Sequence, residues 1–373
     1  MRMKQIVIFL LCSMIPIAAS AQEAVYETTS SDWNMETVSI DGLNYYLDAT
    51  TNEATIAAEN KWTGELVLPS CVSYDNQEYT VTGIHWLAFC QCETLTRVTI
   101  PKTVNHVYSV SVYPEAAMNP FINCSCLEYI EVEDGNPLFC SVGGILFTSD
   151  MSKLCSYPTG ARSESYVIPD GVKAIGGAAF YGNTWLRSVT MPSTVTKEYG
   201  SIFYGCSNLE EVRLSESLTY VEASSFSGCL KLESLLLPVY INGVGDYAFS
   251  DCMSLKELEL PENTSYIANF AFANSGIEKL VIRGKIDNYL NSNVFKGMKE
   301  NTTLYVLPEE INRYKSIYGG EVLPLEEYTS SVNQINVSHG TSRGFASDLM
   351  GRRLNTSETK GIFVKSGKKY IKR

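Results

Sequence analysis

The side chains able to do chemistry in this sequence are few and poorly spaced for it. The histidines, His85, His106 and His339, show no His-Glu-x-x-His or comparable ligand spacing. His85 falls in a strand-like run and His106 in an insertion, places where a histidine packs or meets water rather than acting as a base. Cys90/Cys92 and Cys124/Cys126 have a spacing that would suit a metal. Glu257 and Glu259 are a carboxylate pair of the type hydrolysis needs. They alternate on an exposed strand face, however, with no pocket to shift a pKa. The chain carries no nucleophile elbow, P-loop, dinucleotide fingerprint or calcium loop. The reading is therefore of a protein that is not an enzyme and needs no cofactor or metal.

What positions these residues is a period. Phenylalanine recurs every 23 residues at Phe180, Phe203, Phe226, Phe249, Phe272 and Phe295, and a period of this size marks a solenoid whose coils bury their apolar faces only by stacking. Leu186, Leu209, Leu232 and Leu255 stand six places after the Phe. Val189, Val212, Leu235 and Leu258 stand nine places after it, and Met191, Leu214, Leu237 and Leu260 eleven. The two-residue spacing of the last pair of columns is that of a strand, which Pro192, Pro238 or Pro261 closes because proline has no N–H to pair. Before each Phe lies an apolar pair such as Val172/Ile175, Leu218/Val221 or Ile241/Val244, which predicts a second extended segment on another side of the coil. Around Phe89 and Phe121 the register is looser, and insertions separate these units.

The register also changes the reading of the cysteines. Cys92, Cys124, Cys206, Cys229 and Cys252 all stand three places after a Phe. That predicts a stacked column of small buried thiols, against the disulfides that an exported chain invites. Cys140 and Cys155 lie outside the column and are the best candidates for a bridge.

Composition suits one elongated domain with processing signals. Of 373 residues 45% are hydrophobic, enough for a continuous core. Residues 1–21 are basic at Arg2 and Lys4, apolar from Ile6 to Ile17 and end in Ala19-Ser20-Ala21, a secretory signal too short to span a membrane. The segment from Ser331 carries nine Lys or Arg against Asp348 and Glu358, and the first 21 residues add Arg2 and Lys4. The net charge of −12 thus leaves −21 on residues 22–330. An acidic body argues against nucleic acid or an anionic membrane as partner.

The outward columns, seven, eight and ten places after each Phe, form one extended surface where a solenoid binds its partners. The candidate binding residues are Tyr129 and Glu131; Glu210, Glu211 and Arg213; Glu233 and Leu236; and Lys256, Glu257 and Glu259. Tyr129 and Leu236 favour a contact surface, and the competing reading is a solvated acidic face.

The pattern Ile-Pro, Val-x-x-Ile, Ala-Phe, then Cys and Leu, in Val167–Leu186 and Ile241–Pro261, resembles the BspA-type leucine-rich repeat of bacterial surface proteins. Gly135-Asn136-Pro137 through Gly143-Gly144-Ile145 to Tyr157-Pro158 resembles that family's hairpin insertion. Val38–Thr82 is similar to its N-terminal cap, and Thr303–Pro308 with Tyr314–Tyr318 to its closing cap. In the tail, Asp348-Leu349-Met350-Gly351-Arg352 and Lys360-Gly361-Ile362-Phe363-Val364 with Gly367-Lys368-Lys369 are similar to the sorting domain read by the type IX secretion machinery.

The expected fold is a β-rich leucine-rich repeat solenoid with one or two short strands and a turn per repeat. Its parts are a signal peptide at 1–21, a β-rich cap at 22–78, the solenoid at 79–300 with an insertion near 133–165, a closing cap at 301–328, a linker at 329–342 and a sorting-type tail at 343–373. The signal and the hydropathy predict an exported chain with no transmembrane span, expected as a monomer at the cell surface or secreted, in association with the outer membrane; the resemblance adds a function. The chain would bind an extracellular protein or glycoprotein in adhesion to host matrix or other cells and meet the secretion machinery through its tail. Two other functions stay open. One is a surface glycan-binding component, using aromatics such as Tyr45, Tyr46, Tyr108 and Tyr113; the other is an exported hydrolase using His85 or His106.

Overall fold

The computed structural model describes residues 37–108, 119–287 and 290–328 and, in the tail, the backbone of four strands. The signal at 1–21, Tyr113, the linker at 329–342, His339, Lys360, Gly367 and the motif residues at 348–352 lie outside the described residues. The chain divides into two units, Met1–Glu327 and Tyr328–Arg373.

The first unit is the solenoid, and each coil has three sides. The first side carries the strand expected after the Phe in every described coil except that of Phe226. Gly64–Val67, Leu95–Ile100 and Tyr129–Val132 pair in parallel, as do Ser165–Val167, Ser188–Thr190 and Glu211–Arg213. A third group runs from Glu257–Leu260 through Lys279–Ile282 and Thr303–Val306 to Glu321–Pro324. The second side carries the two-residue strands expected before the Phe: Ala174–Ile175 with Lys197–Glu198, and Tyr220–Val221 with Gly243–Val244 and Tyr266–Ile267.

The third side is more regular than the small residues and turn expected there. In four successive coils the Phe amide donates to the next coil, from Phe180 to Ile202, Phe203 to Ser225, Phe226 to Ala248 and Phe249 to Ala271, at 2.7–2.9 Å. The amides two places to either side of the Phe do the same, making three bonds per coil. Left-handed residues at those flanking places bend the ladder. After the Phe they are Gly205 and Gly228 (φ +70° and +75°), then Asp251 and Asn274, residue types that tolerate this region. Before the Phe they are Ala178, Ser201, Ser224, Tyr247 and Phe270, all with φ between 52° and 59°.

Inside the coils the phenylalanines stack, with ring centroids 5.1 Å apart for Phe180–Phe203, 5.6 Å for Phe203–Phe226, 5.5 Å for Phe226–Phe249 and 6.1 Å for Phe249–Phe272. All five of these rings are at most 1% exposed, so each contributes the full burial of a large aromatic.

Both ends of the stack are covered. Before it, Val38–Ile40, Leu43–Asp48 and Glu53–Ile56 form an antiparallel meander, and Cys71–Tyr74 pairs with Gln77–His85 as a hairpin. At the other end the helix Ile311–Ile317 connects Thr303–Val306 to the edge strand Glu321–Pro324 and buries Tyr314 against Phe295. Within the stack, Phe139–Val142, Ile145–Thr148 and Lys153–Ser156 form an antiparallel insertion whose last strand joins the second side.

In the second unit, Gly361–Lys365 and Lys368–Lys372 form a hairpin. Ala346–Ser347 pairs with its first strand and with Arg353–Leu354. Pairing therefore extends into the stretch before residue 348, where the sequence lacks apolar alternation.

Candidate functional site

The outward face of the first side is laid out by strand alternation. With Val189, Val212 and Leu258 turned into the core, Ser188/Thr190, Glu211/Arg213 and Glu257/Glu259 must face out. Parallel register sets Tyr129 opposite Arg97, Glu131 opposite Thr99, Glu211 opposite Ser188 and Arg213 opposite Thr190.

Register also decides the electrostatics, and the result is not the uninterrupted acidic face that the charge count suggests. Arg97 reaches both Glu65 and Glu131 and lies 4.8 Å over the ring of Tyr129. Arg187 bridges Glu164 at 3.8 Å and Glu210 at 2.5 Å, Arg162 pairs with Glu128 at 3.3 Å, and Arg283 pairs with Glu259 at 2.5 Å. Lys256 pairs with Glu278 at 3.4 Å. Glu211, Arg213 and Glu233 make no ion pair among the described residues. Exposed pairs of this kind contribute at most about 1 kcal/mol each. They neutralise the surface more than they hold the fold.

Glu233 and Leu236 are in a different setting from their column mates. Glu233–Leu237 is not a strand, and among the described residues it makes no backbone hydrogen bond to either neighbouring coil. The coil is held there by Leu232 and Leu235, both at most 5% exposed, while Leu236 stands 84% exposed. Val239 and Tyr240, 63% and 64% exposed, follow it in the same coil. They were missed in the sequence although a signal existed: the same places hold Ser193/Thr194, Glu216/Ser217 and Glu262/Asn263 in other coils. Trp185 was missed in the same way. It is exposed under Arg162, 5.5 Å from the ring centre, in a column otherwise filled by Asn208, Lys231 and Ser254.

The residues considered for other chemistry are occupied elsewhere. His85 is 8% exposed, its Nδ1 accepts from the Leu87 amide at 3.1 Å, and burial pulls its pKa down to about 4. It packs edge-on to Tyr46, while Tyr45 is 1% exposed, so neither tyrosine is free to stack on a ligand. His106 is also shifted down, by burial first, with Glu53 opposing.

All ten cysteines of the described residues are free thiols. Cys140 is not bridged to Cys155, and its Sγ lies 3.2 Å from the Thr148 carbonyl. Cys90 and Cys92 are buried in the core. No group of three or more His, Cys, Asp or Glu among the described residues could hold a metal.

Stacked parallel strands, an inward leucine column and a capped end define the class as a leucine-rich repeat solenoid. The model of the BspA type leucine rich repeat region matches six copies over residues 70–135, 159–245 and 219–336, more than half of the chain, and the protein belongs to that family. Among solved structures, the pneumococcal vaccine antigen PcpA is similar at 18% identity, with a TM-score of 0.50 over 78% of this chain and 98% of that one. A leucine-rich repeat protein from Bacteroides ovatus is 23% identical over 77% of this chain and 76% of that one, with a TM-score of 0.43. A leucine-rich cell surface protein from Faecalibacterium prausnitzii is 17% identical over 77% and 99%, with a TM-score of 0.39. No curated protein matches the sequence. Among the described residues no helix is long and apolar enough to cross a membrane.

Proposed function

We propose that the protein is an exported, non-enzymatic binding module that holds an extracellular protein or glycoprotein against the outward strand face, in adhesion to host matrix or to other cells. The observation that carries this reading is the exposed Leu236 on that face, followed by Val239 and Tyr240 in the turn that leaves it, with Glu211, Arg213 and Glu233 unpaired on a surface whose other charges are largely matched within the fold. An interface of this kind draws its affinity from a few buried anchors within a polar rim. Family membership supports a surface or secreted location, and the paired strands of the tail are compatible with its use as a sorting signal.

Binding of the full chain to immobilised extracellular matrix proteins and to bacterial surface extracts tests the reading. Saturable capture that Leu236→Asp and Tyr240→Ser weaken at least about tenfold, roughly the 1.4 kcal/mol of a lost anchor, is expected. Unchanged capture by these variants would move the site off this face.

A second reading, surface glycan binding, has one observation behind it. On the second side the Tyr220 ring lies across Gly243, close enough that a Cβ there would stand 2.3 Å from it, and Tyr266 follows at 6.4 Å between ring centroids. Tyr266 is 42% exposed, so the pair offers an aromatic platform. Retardation in polysaccharide gels that is lost in Tyr266→Ala would favour this reading over protein binding. Hydrolysis is the least supported function, since His85 is buried and Glu259 is bridged to Arg283.

A further inference from the structure

Past the insertion, both strand ladders of the solenoid stop together at one boundary. On the first side the pairing that includes Glu211–Arg213 ends there and resumes only at Glu257–Leu260. On the second side Lys197–Glu198 is the last strand of one sheet and Tyr220–Val221 the first of another. The boundary common to both gaps lies between the coils of Phe203 and Phe226. Among the described residues the backbone bonds that cross it are all on the third side, from the amides of Ser201, Phe203 and Gly205 to the carbonyls of Ala223, Ser225 and Ser227 at 2.8–2.9 Å.

Two residues at this boundary break the repeat, and they touch each other. Glu198 occupies the column of Ile175, Val221, Val244 and Ile267, and Ser225 the column of Ala179, Ile202, Ala248 and Ala271. The Glu198 carboxyl, 3% exposed, accepts from the Glu222 amide at 2.8 Å, the Gly200 amide at 3.2 Å and the Ser225 hydroxyl at 2.8 Å to each oxygen. One coil further on, the Gly245 amide, which corresponds to that of Glu222, donates to the Val221 carbonyl at 2.8 Å. At the boundary, then, a side-chain carboxyl takes the place of a ladder carbonyl.

We propose that this boundary is a joint in the solenoid, hinged on the third side, closed by the neutral Glu198 carboxyl and loosened when that carboxyl ionises. The neutral form keeps its contacts: one oxygen accepts from Glu222, and the proton on the other is donated to the Ser225 hydroxyl oxygen, which can act in either sense. The ionised form leaves a charge in the core, and opening the joint is the way to hydrate it. Burial is the largest influence on Glu198 and pushes its pKa up to about 7. The charge of Glu222, facing it from the next coil, adds to this, while the bonds from Glu222, Ser225 and Gly200 oppose it. Lys197 acts on Glu222 and shares the ring of Tyr199 with Lys153, two strands back in the same sheet.

Hydrogen exchange of the full chain, followed by mass spectrometry and corrected for the intrinsic pH dependence of the rate, tests the joint. Between pH 5.5 and 8.5 the protection of the Glu222 amide should fall by about tenfold or more, while that of the Gly245 amide holds. In Glu198→Gln the Glu222 amide should become insensitive to pH. Constant protection of Glu222 in the unmodified chain, an equal loss at Gly245, or an undiminished pH response in Glu198→Gln would each overturn the proposal. If that variant does not fold, the comparison of the two amides in the unmodified chain decides alone.

Discussion

The Sγ of Cys229 stands 3.2 Å from the carbonyl oxygen of Phe203, one coil back, and that oxygen also accepts the Cys206 amide of its own coil at 3.0 Å. The same relation joins Cys206 to Phe180, Cys252 to Phe226 and Cys124 to Phe89, at 3.0–3.1 Å. The cysteine column is thus a ladder of S–H donors laid along the phenylalanine stack. Three places after Phe180 the column holds Asn183 in place of a cysteine, and its side-chain nitrogen donates to the carbonyls of Pro158 and Thr159.

These thiols should not react in the folded protein. Burial raises the pKa of Cys206 to about 12 and that of Cys229 well above the usual thiol value, so almost no thiolate forms near neutral pH. Iodoacetamide at pH 8 should label Cys71 and Cys126, which are exposed, and should reach the column cysteines only after denaturation. Peptide mapping reads the result, and rapid native labelling of Cys206 or Cys229 would contradict the ladder.

Cys229→Ala removes one donor while leaving the Phe203 carbonyl with its amide partner. The expected loss is about 1 kcal/mol for a neutral hydrogen bond. Urea denaturation should show a small drop in midpoint with an unchanged slope.

Phe249→Ala opens a cavity between Phe226 and Phe272, whose rings flank it at 5.5 and 6.1 Å. A loss of about 3–5 kcal/mol is expected. Because coils stabilise one another only through their neighbours, the unfolding transition should also broaden, which circular dichroism during urea titration would show.

The pH dependence of stability contains two opposing contributions. Glu198 has a folded pKa of about 7, above its ordinary 4.5. Between those values the folded chain holds a proton that the unfolded chain has released, so stability falls as pH rises through this window. His85 has a folded pKa of about 4, below its ordinary 6.5. Between those values the unfolded chain holds the extra proton, so stability falls as pH drops through that window. Each contribution is on the order of 3 kcal/mol, and they nearly cancel where the windows overlap. Glu198→Gln should therefore make the protein acid-sensitive between about pH 6.5 and 4.5, and His85→Gln should tilt the profile the other way. Parallel denaturation curves for the two variants would contradict both assignments.

Arg187→Ala breaks the bridges to Glu164 and Glu210. Because the groups are exposed, stability should change by less than about 1 kcal/mol, while the face gains net negative charge. Faster capture of a basic partner at low salt, lost at high salt, is the outcome expected if the partner meets this face.

The solenoid, its inward columns and the cysteine register could be read from the sequence, because a coil that packs on copies of itself repeats its core residues at a fixed interval. The third-side ladder could not. Its left-handed residues before the Phe are Ala178, Ser201, Ser224, Tyr247 and Phe270, which share no chemistry that would betray a common backbone. Glu198 and Ser225 were visible as departures from their columns, but their contact was not, since they lie in different coils. Exposed apolar residues such as Val239 and Tyr240 were likewise legible only as exceptions to polar columns.

By itself, then, the sequence determined which side chains face the core, since burial follows from residue type repeated along one dimension. Only the tertiary structure decided which charges the outer face keeps. Arg187 meets Glu210 and Arg283 meets Glu259 from adjacent coils, and such pairing depends on register and side-chain reach across coils rather than on composition. The same holds for the gap beside Glu233–Leu237, where a segment that keeps the inward leucine columns of its neighbours lies without backbone bonds to them.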